Sequence, residues 1–145
     1  MTDLRSNATQ IWTAGVDSVR GEPLVSREVN VLDGDLQIAQ HNWSAADFDC
    51  VLVVGAGKAD AAMAVGLLSQ IRGWLPVSGW INVPAGTEQE LAEIEMCAAR
   101  PSGVNEPTAE GVAGTEQMLA MVSEAGPRDL CIALISGGGS ALMPA

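Results

Sequence analysis

Along residues 4–19, apolar side chains return at helical spacing. Leu4, Ala8, Ile11, Trp12, Gly15, Val16 and Val19 share one face, which predicts an amphipathic first helix ending near Gly21-Glu22-Pro23. The period then shortens. The segments "REVNVL" and "LQIAQ" flank Asp33-Gly34-Asp35. An Asp-Gly pair supplies the positive φ values of a type I′ turn, so a β-hairpin is expected there. The polar stretch Gln40 to Ser44, which holds His41, reads as a solvent-facing loop.

From residue 48 the character changes. "FDCVLVV" is a continuous, β-branched apolar run, the pattern of a strand buried on both faces. It enters "GAGK" and then a small-residue helix, "ADAAMAVGLLSQI". "VSGWINV" and "EIEMCAA" read as the next strands, "RPSGVNEP" as a turn-rich connection, and "TAEGVAGTEQMLAMVSEAG" as a helix stopped by Gly126-Pro127. "LCIALI" repeats the buried-strand character and runs into "SGGGSALM". Strands alternating with helices at this spacing predict an α/β fold. The expected form is a Rossmann-like, three-layer, mostly parallel sheet with helices on both faces and a small N-terminal β-hairpin. In open α/β sheets ligands bind at the carboxyl ends of strands, where both glycine turns fall, so the two turns are expected to be lips of one cleft.

Charge and composition narrow the partners. Eighteen acids against seven bases give a formal charge of −11. Such a surface repels phosphate backbones and disfavours nucleic-acid and anionic-membrane partners. With no apolar run near 18 residues and no basic-then-apolar N-terminus, a cytoplasmic protein is expected. Cys50, Cys97 and Cys131 lie far apart in or beside apolar runs and read as buried free thiols rather than a disulfide framework or zinc site.

An anion must therefore be caught locally. Lys58 is the only lysine, follows Gly55-Ala56-Gly57 directly, and is expected in the first turn of the next helix, where a cation opposes the helix dipole. That placement favours a lysine that converges with backbone N–H groups on an anion over one that bends into solvent. The loop is not a Walker A motif: the spacing is too short and Ala59 follows the lysine. The dinucleotide fingerprint fails at its third glycine, where Asp60 stands, and no acid follows Asn82-Val83-Pro84 until Glu88. In the second loop, Ser136, Gly137, Gly138, Gly139 and Ser140 combine backbone freedom with flanking hydroxyls and are expected to cradle phosphate. A nucleophile elbow would need glycine at Leu142, so a serine hydrolase is rejected. Asn105 and Glu106, ahead of Pro107, are candidates either to cap the following helix or to contact substrate.

Taken together, "VLVVGAGKADAAMA", "RPSGVNEPTAEGVAG" and "LISGGGSALMPA" resemble the ATP-dependent glycerate 2-kinases of the two-domain MOFRL type. The resemblance covers nearly the whole chain. It implies transfer of the γ-phosphoryl group of ATP to D-glycerate, giving 2-phosphoglycerate, with Mg²⁺. It also implies Lys58 as the active-site lysine and residues 136–140 as the lining of the phosphate-binding cleft; Gly55 and Gly57 join them as nucleotide- and phosphate-binding candidates, and Asn105 and Glu106 stay candidates for substrate contact or for capping. Many relatives carry histidine where this chain has Arg100.

Members of the family continue beyond SGGGSAL. Residues 1–145 are thus expected to be the N-terminal part of the Rossmann-like domain, without the second (MOFRL) domain. The chain alone is expected to be inactive and to form homo-oligomers through uncovered apolar surface. The alternatives are an NAD(P)-dependent hydroxypyruvate reductase and a non-catalytic interaction fragment.

Overall fold

The structure, a computed structural model, describes residues 3–144. Helix α1 (Leu4–Asp17) is capped by Asp3, whose side chain accepts the Arg5 N–H at 3.0 Å. Its apolar face forms as the spacing predicts, yet no α1 side chain is buried. A second helix, α2 (Gly21–Glu28), starts where the first was expected to stop. Pro23 sits in its first turn, where a missing N–H costs nothing. Gly21 and Gly66 bring α2 against the next long helix; a Cβ on Gly66 would meet the Glu22 carbonyl oxygen at 2.5 Å.

The hairpin is present as β1 (Val29–Leu32) and β2 (Asp35–Ile38), turned by Asp33 at φ 53° and Gly34 at φ 89°. A third antiparallel strand, β3 (His41–Ser44), extends it. His41 is therefore an exposed strand residue rather than a loop residue. Val29 and Leu36 from this small sheet join the main core, and Trp74 Nε1 donates to the Gly34 carbonyl at 2.8 Å.

The main sheet is parallel, with strand order β6-β5-β4-β7, built from β4 (Cys50–Ala56), β5 (Val77–Pro84), β6 (Ile94–Arg100) and β7 (Asp129–Ile135). Helix α3 (Asp60–Ile71) carries the chain from β4 to β5. Helix α4 (Ala109–Glu124) carries it from β6 back across the sheet to β7. The two crossovers run in opposite directions, and since parallel connections of this kind are right-handed as a rule, their helices fall on opposite faces. Odd-numbered strand residues Val51, Val53, Ile81 and Val83 pack with Ala61, Ala64, Leu68 and Ile71 of α3 in the principal core. On the other face Asn82 meets α4.

Two expectations need correction. β7 is an edge strand and only Leu134 is buried, so its apolar run does not mark burial on both faces. The thiols are not buried either: Cys131 is exposed and Cys50 and Cys97 are half-buried. Desolvation, then Asp129, still pushes the Cys50 thiol up to about 11. No helix among the described residues is long and apolar enough to cross a membrane.

Candidate functional site

The strand order reverses between β4 and β7, so their carboxyl ends define the switch point of the sheet. Both glycine loops leave from there. Lys58 N–H donates to the Gly137 carbonyl at 3.1 Å, and Ala59 N–H donates to Ser136 Oγ at 3.0 Å. Gly57 N–H donates to the Asn82 carbonyl at 3.3 Å. The three donors of the first loop are thus consumed within the protein.

The glycines of that loop have packing reasons. Gly55 and Gly57 are buried. A Cβ on Gly55 would meet the Leu134 carbonyl oxygen at 2.5 Å; one on Gly57 would meet the Ser136 backbone nitrogen at 2.8 Å and collide with the Ser136 hydroxyl. Their Cα faces look onto the second loop rather than onto open space.

Lys58 is placed differently from its expected position. Helix α3 begins at Asp60 with Ala59 as its N-cap, so Lys58 precedes the first turn and its side chain is exposed. The charge in the first turn is Asp60, which is fully buried with neither carboxylate oxygen paired among the described residues. Burial pushes the Asp60 carboxyl up, and the Ser136 hydroxyl beside it pulls weakly the other way.

The second loop is more open. Gly138 stands at φ 86°, a conformation that favours glycine, and is the N-cap of the short helix α5 (Gly139–Leu142). Gly139 N–H turns back to the Ser136 carbonyl at 3.3 Å. The N–H groups of Gly137 and Gly138 make no hydrogen bond among the described residues. A Cβ on Gly137 would meet nothing within 4 Å, while one on Gly138 would lie 3.2 Å from Lys58 Cε and 3.4 Å from Arg100 Nη2. Ser140 is exposed at the start of α5.

Arg100 reaches this point from the far edge of the sheet. Val83 pairs with Ala98 but Pro84 with Arg100, so β6 carries one extra residue at its end. Bulges of this kind turn a strand and re-aim its side chains. The Arg100 residue is 2 % exposed, and its Nε and Nη2 have no hydrogen-bond partner among the described residues. Like charges a few ångströms apart repel by roughly 2–4 kcal/mol at an effective dielectric of about 20, so Lys58 and Arg100 together make a locally cationic corner.

Asn105 and Glu106 stand exposed in the loop between β6 and α4. Neither caps α4. Thr108 does, accepting the Gly111 N–H at 3.2 Å while donating to the Ala99 carbonyl.

Asn82, Asp60 and Arg100 were not read as site residues from the sequence. Asn82 is fully buried and donates to the carbonyls of Leu142 at 2.7 Å and Gly111 at 3.1 Å, pinning both α5 and α4 to β5. A polar residue inside an apolar strand was the available signal for it.

The family described as "Domain of unknown function (DUF4147)" matches residues 7–145. A putative hydroxypyruvate reductase of Agrobacterium vitis is 39% identical over 97 residues, 65% of this chain and 20% of that protein. A glycerate kinase of Rattus norvegicus is 27% identical over 153 aligned positions, covering 98% of this chain and 29% of the relative. The Homo sapiens glycerate kinase is 28% identical with the same coverage. A crystal structure of a Pyrococcus horikoshii protein shares the fold, with a TM-score of 0.79 at 24% identity over 98% of this chain and 31% of that one. The chain spans less than a third of the length of these relatives.

Proposed function

The chain belongs to the DUF4147 family, the N-terminal domain of glycerate 2-kinases of the MOFRL type, and from that premise we propose that it supplies one lip of a cleft in which ATP phosphorylates D-glycerate. One observation carries the reading. Lys58 and the open Gly137–Gly138 backbone meet at the switch point of the sheet, with a second cation beside them. Phosphoryl transfer asks a protein mainly for positioning and charge neutralisation. Lys58 supplies a mobile cation toward the transferred group, and the free N–H groups of the second loop supply fixed dipoles.

The buried Asp60 carboxylate at the start of α3 argues that phosphate does not sit on that helix N-terminus. Phosphate is therefore assigned to the Gly137–Gly138 side. Asp60 also weighs against the reductase reading, because it occupies the third-glycine place where a dinucleotide pyrophosphate would approach. Among the described residues no three His, Cys, Asp or Glu side chains are grouped to hold a metal ion; a Mg²⁺ that arrives on the phosphates of ATP needs only one or two protein carboxylates, and no step here runs through one.

Turnover is assigned to the lip together with the remainder of the enzyme, since transfer needs groups on both sides of the reacting phosphoryl. Titrating ATP and NADH separately against the chain, read by tryptophan fluorescence, tests the reading. ATP alone is expected to bind. Saturable NADH binding without ATP binding would replace the kinase reading with the reductase.

A further inference from the structure

The four ion pairs among the described residues engage Arg20, Arg27, Arg72 and Arg128, all at least half exposed. Arg100 is the reverse case: it is the buried arginine, and no ion pair or hydrogen bond among the described residues reaches its guanidinium. This is so in a chain with 18 acids and seven bases. A buried charge normally carries a partner or gives up its charge, and an arginine does not give up its proton. The guanidinium is also delivered to one place, because the bulge at the end of β6 sends it to the Gly138 corner beside Lys58. Lys58 is likewise absent from the ion pairs. The N–H groups of Gly137 and Gly138 at that corner have no partner among the described residues.

We propose that Arg100, Lys58 and the Gly137–Gly138 backbone form an oxyanion site that takes a phosphate dianion. Two cations that enter no ion pair among the described residues match a doubly charged group better than a single carboxylate. The planar fork of Arg100 then gives two parallel donors to adjacent oxygens, while Lys58 acts as a point charge. The fixed partner is Arg100 and the movable one is exposed Lys58. The proposal deepens the phosphoryl-transfer reading and rests on it only for where the phosphate comes from. The site itself stands on geometry and unpaired charge.

The test is an NMR titration of the ¹⁵N-labelled chain at matched ionic strength, following the Gly137 and Gly138 amides and the Arg100 Nε–H. Inorganic phosphate, ATP, D-glycerate and chloride are the probes. Phosphate should shift all three signals saturably. ATP should do the same if a nucleotide is the source of the group; a response to phosphate alone assigns the site to a free phosphate or a phosphorylated product. Arg100→Gln should weaken phosphate binding by at least ~10-fold, and Arg100→Lys should recover part of the loss.

Arg100→Met guards against simple misfolding. With the unpaired charge gone it should melt no lower than wild type in chloride, yet lose the rise in Tm that phosphate gives the wild type. Equal response to chloride, saturation by D-glycerate but not phosphate, unchanged affinity in Arg100→Gln, or collapse of Arg100→Met would each overturn the proposal. Arg100-dependent phosphate binding in a protein that, extended to the length of its relatives, transfers no phosphoryl group would sink the kinase reading and leave the site standing.

Discussion

Replacing Asn82 by alanine should loosen the Gly137–Gly138 corner from behind. The side chain has no exposure, and three hydrogen bonds end on it: Nδ2 donates to the Leu142 and Gly111 carbonyls, and Oδ1 accepts from Trp80 Nε1 at 3.1 Å. These losses are unequal. The Gly111 carbonyl keeps the Thr115 hydroxyl at 2.8 Å, and half-buried Trp80 can turn its N–H to water. The Leu142 carbonyl is left with no replacement beside a small cavity. One orphaned buried acceptor costs ~1–3 kcal/mol, the two replaceable bonds together add about 1 kcal/mol and the cavity about 1 kcal/mol, which sums to roughly 4 kcal/mol. For a domain of this size that is a fall in Tm of about 10–15 °C. Urea unfolding followed by circular dichroism gives the free energy directly, and hydrogen exchange shows whether α5 frays first. Asn82→Asp should be at least as damaging, since a carboxylate would face two carbonyl oxygens. A loss below about 1 kcal/mol in Asn82→Ala, or unchanged protection in residues 139–142, would refute the pinning role.

In a version of the protein extended to the length of its relatives, Lys58→Ala should lower kcat/KM at least 100-fold, about 2.7 kcal/mol, with an unchanged unfolding midpoint; near-normal turnover would make Lys58 an ordinary surface cation. Gly138→Val should abolish phosphate binding because its φ of 86° excludes a β-branched residue and its Cβ would press on Lys58 and Arg100; normal binding in a merely less stable variant would leave the loop a simple turn. Asp60→Asn should flatten a pH dependence. Burial raises the folded-state pKa of Asp60, so its protonated form favours the fold, and stability is lost as pH rises from the ordinary carboxyl value of 3.8 through that raised value. Urea midpoints measured from pH 4 to 8 should fall less in the variant, and parallel curves for the two proteins would count against a buried, unpaired carboxylate.

The parallel β4-α3-β5 unit, the strand at 94–100, helix α4 and the Asp-Gly hairpin were legible because each has its period and its turn chemistry in the sequence. Helix α2 was not, because Gly21-Glu22-Pro23 reads equally as the stop of one helix or the start of the next, and eight residues give too little periodicity to decide. β3 has a polar sequence, "HNWS", and pairs on one side only, so no apolar alternation announced it. The opposite failure occurs at α1 and β7. Their apolar patterns exceed what the described residues bury: Trp12 is 69 % and Ile135 56 % exposed. Arg100 could not be recognised at all, since having no partner is a property of three dimensions.

The glycine motifs were legible for a reason other than the one that made them conspicuous. Gly55 and Gly57 in the first loop make room for Leu134 and Ser136 of the second segment, and Gly139 in the second makes room for the Ala56 carbonyl oxygen at 2.7 Å. The Lys58 and Ala59 N–H groups are then fixed on Gly137 and Ser136. Each loop is the mould of the other, which explains why GAGK and SGGGS carry more meaning together than apart. It also divides the labour among the glycines. Those of the first loop are spent on holding the second in place, and only Gly137 and Gly138 keep open backbone. The backbone of a corner held this firmly loses little order on binding, so under the proposed reading its N–H dipoles and the buried Arg100 would meet a phosphate already in place, and only the exposed Lys58 would still have to be ordered.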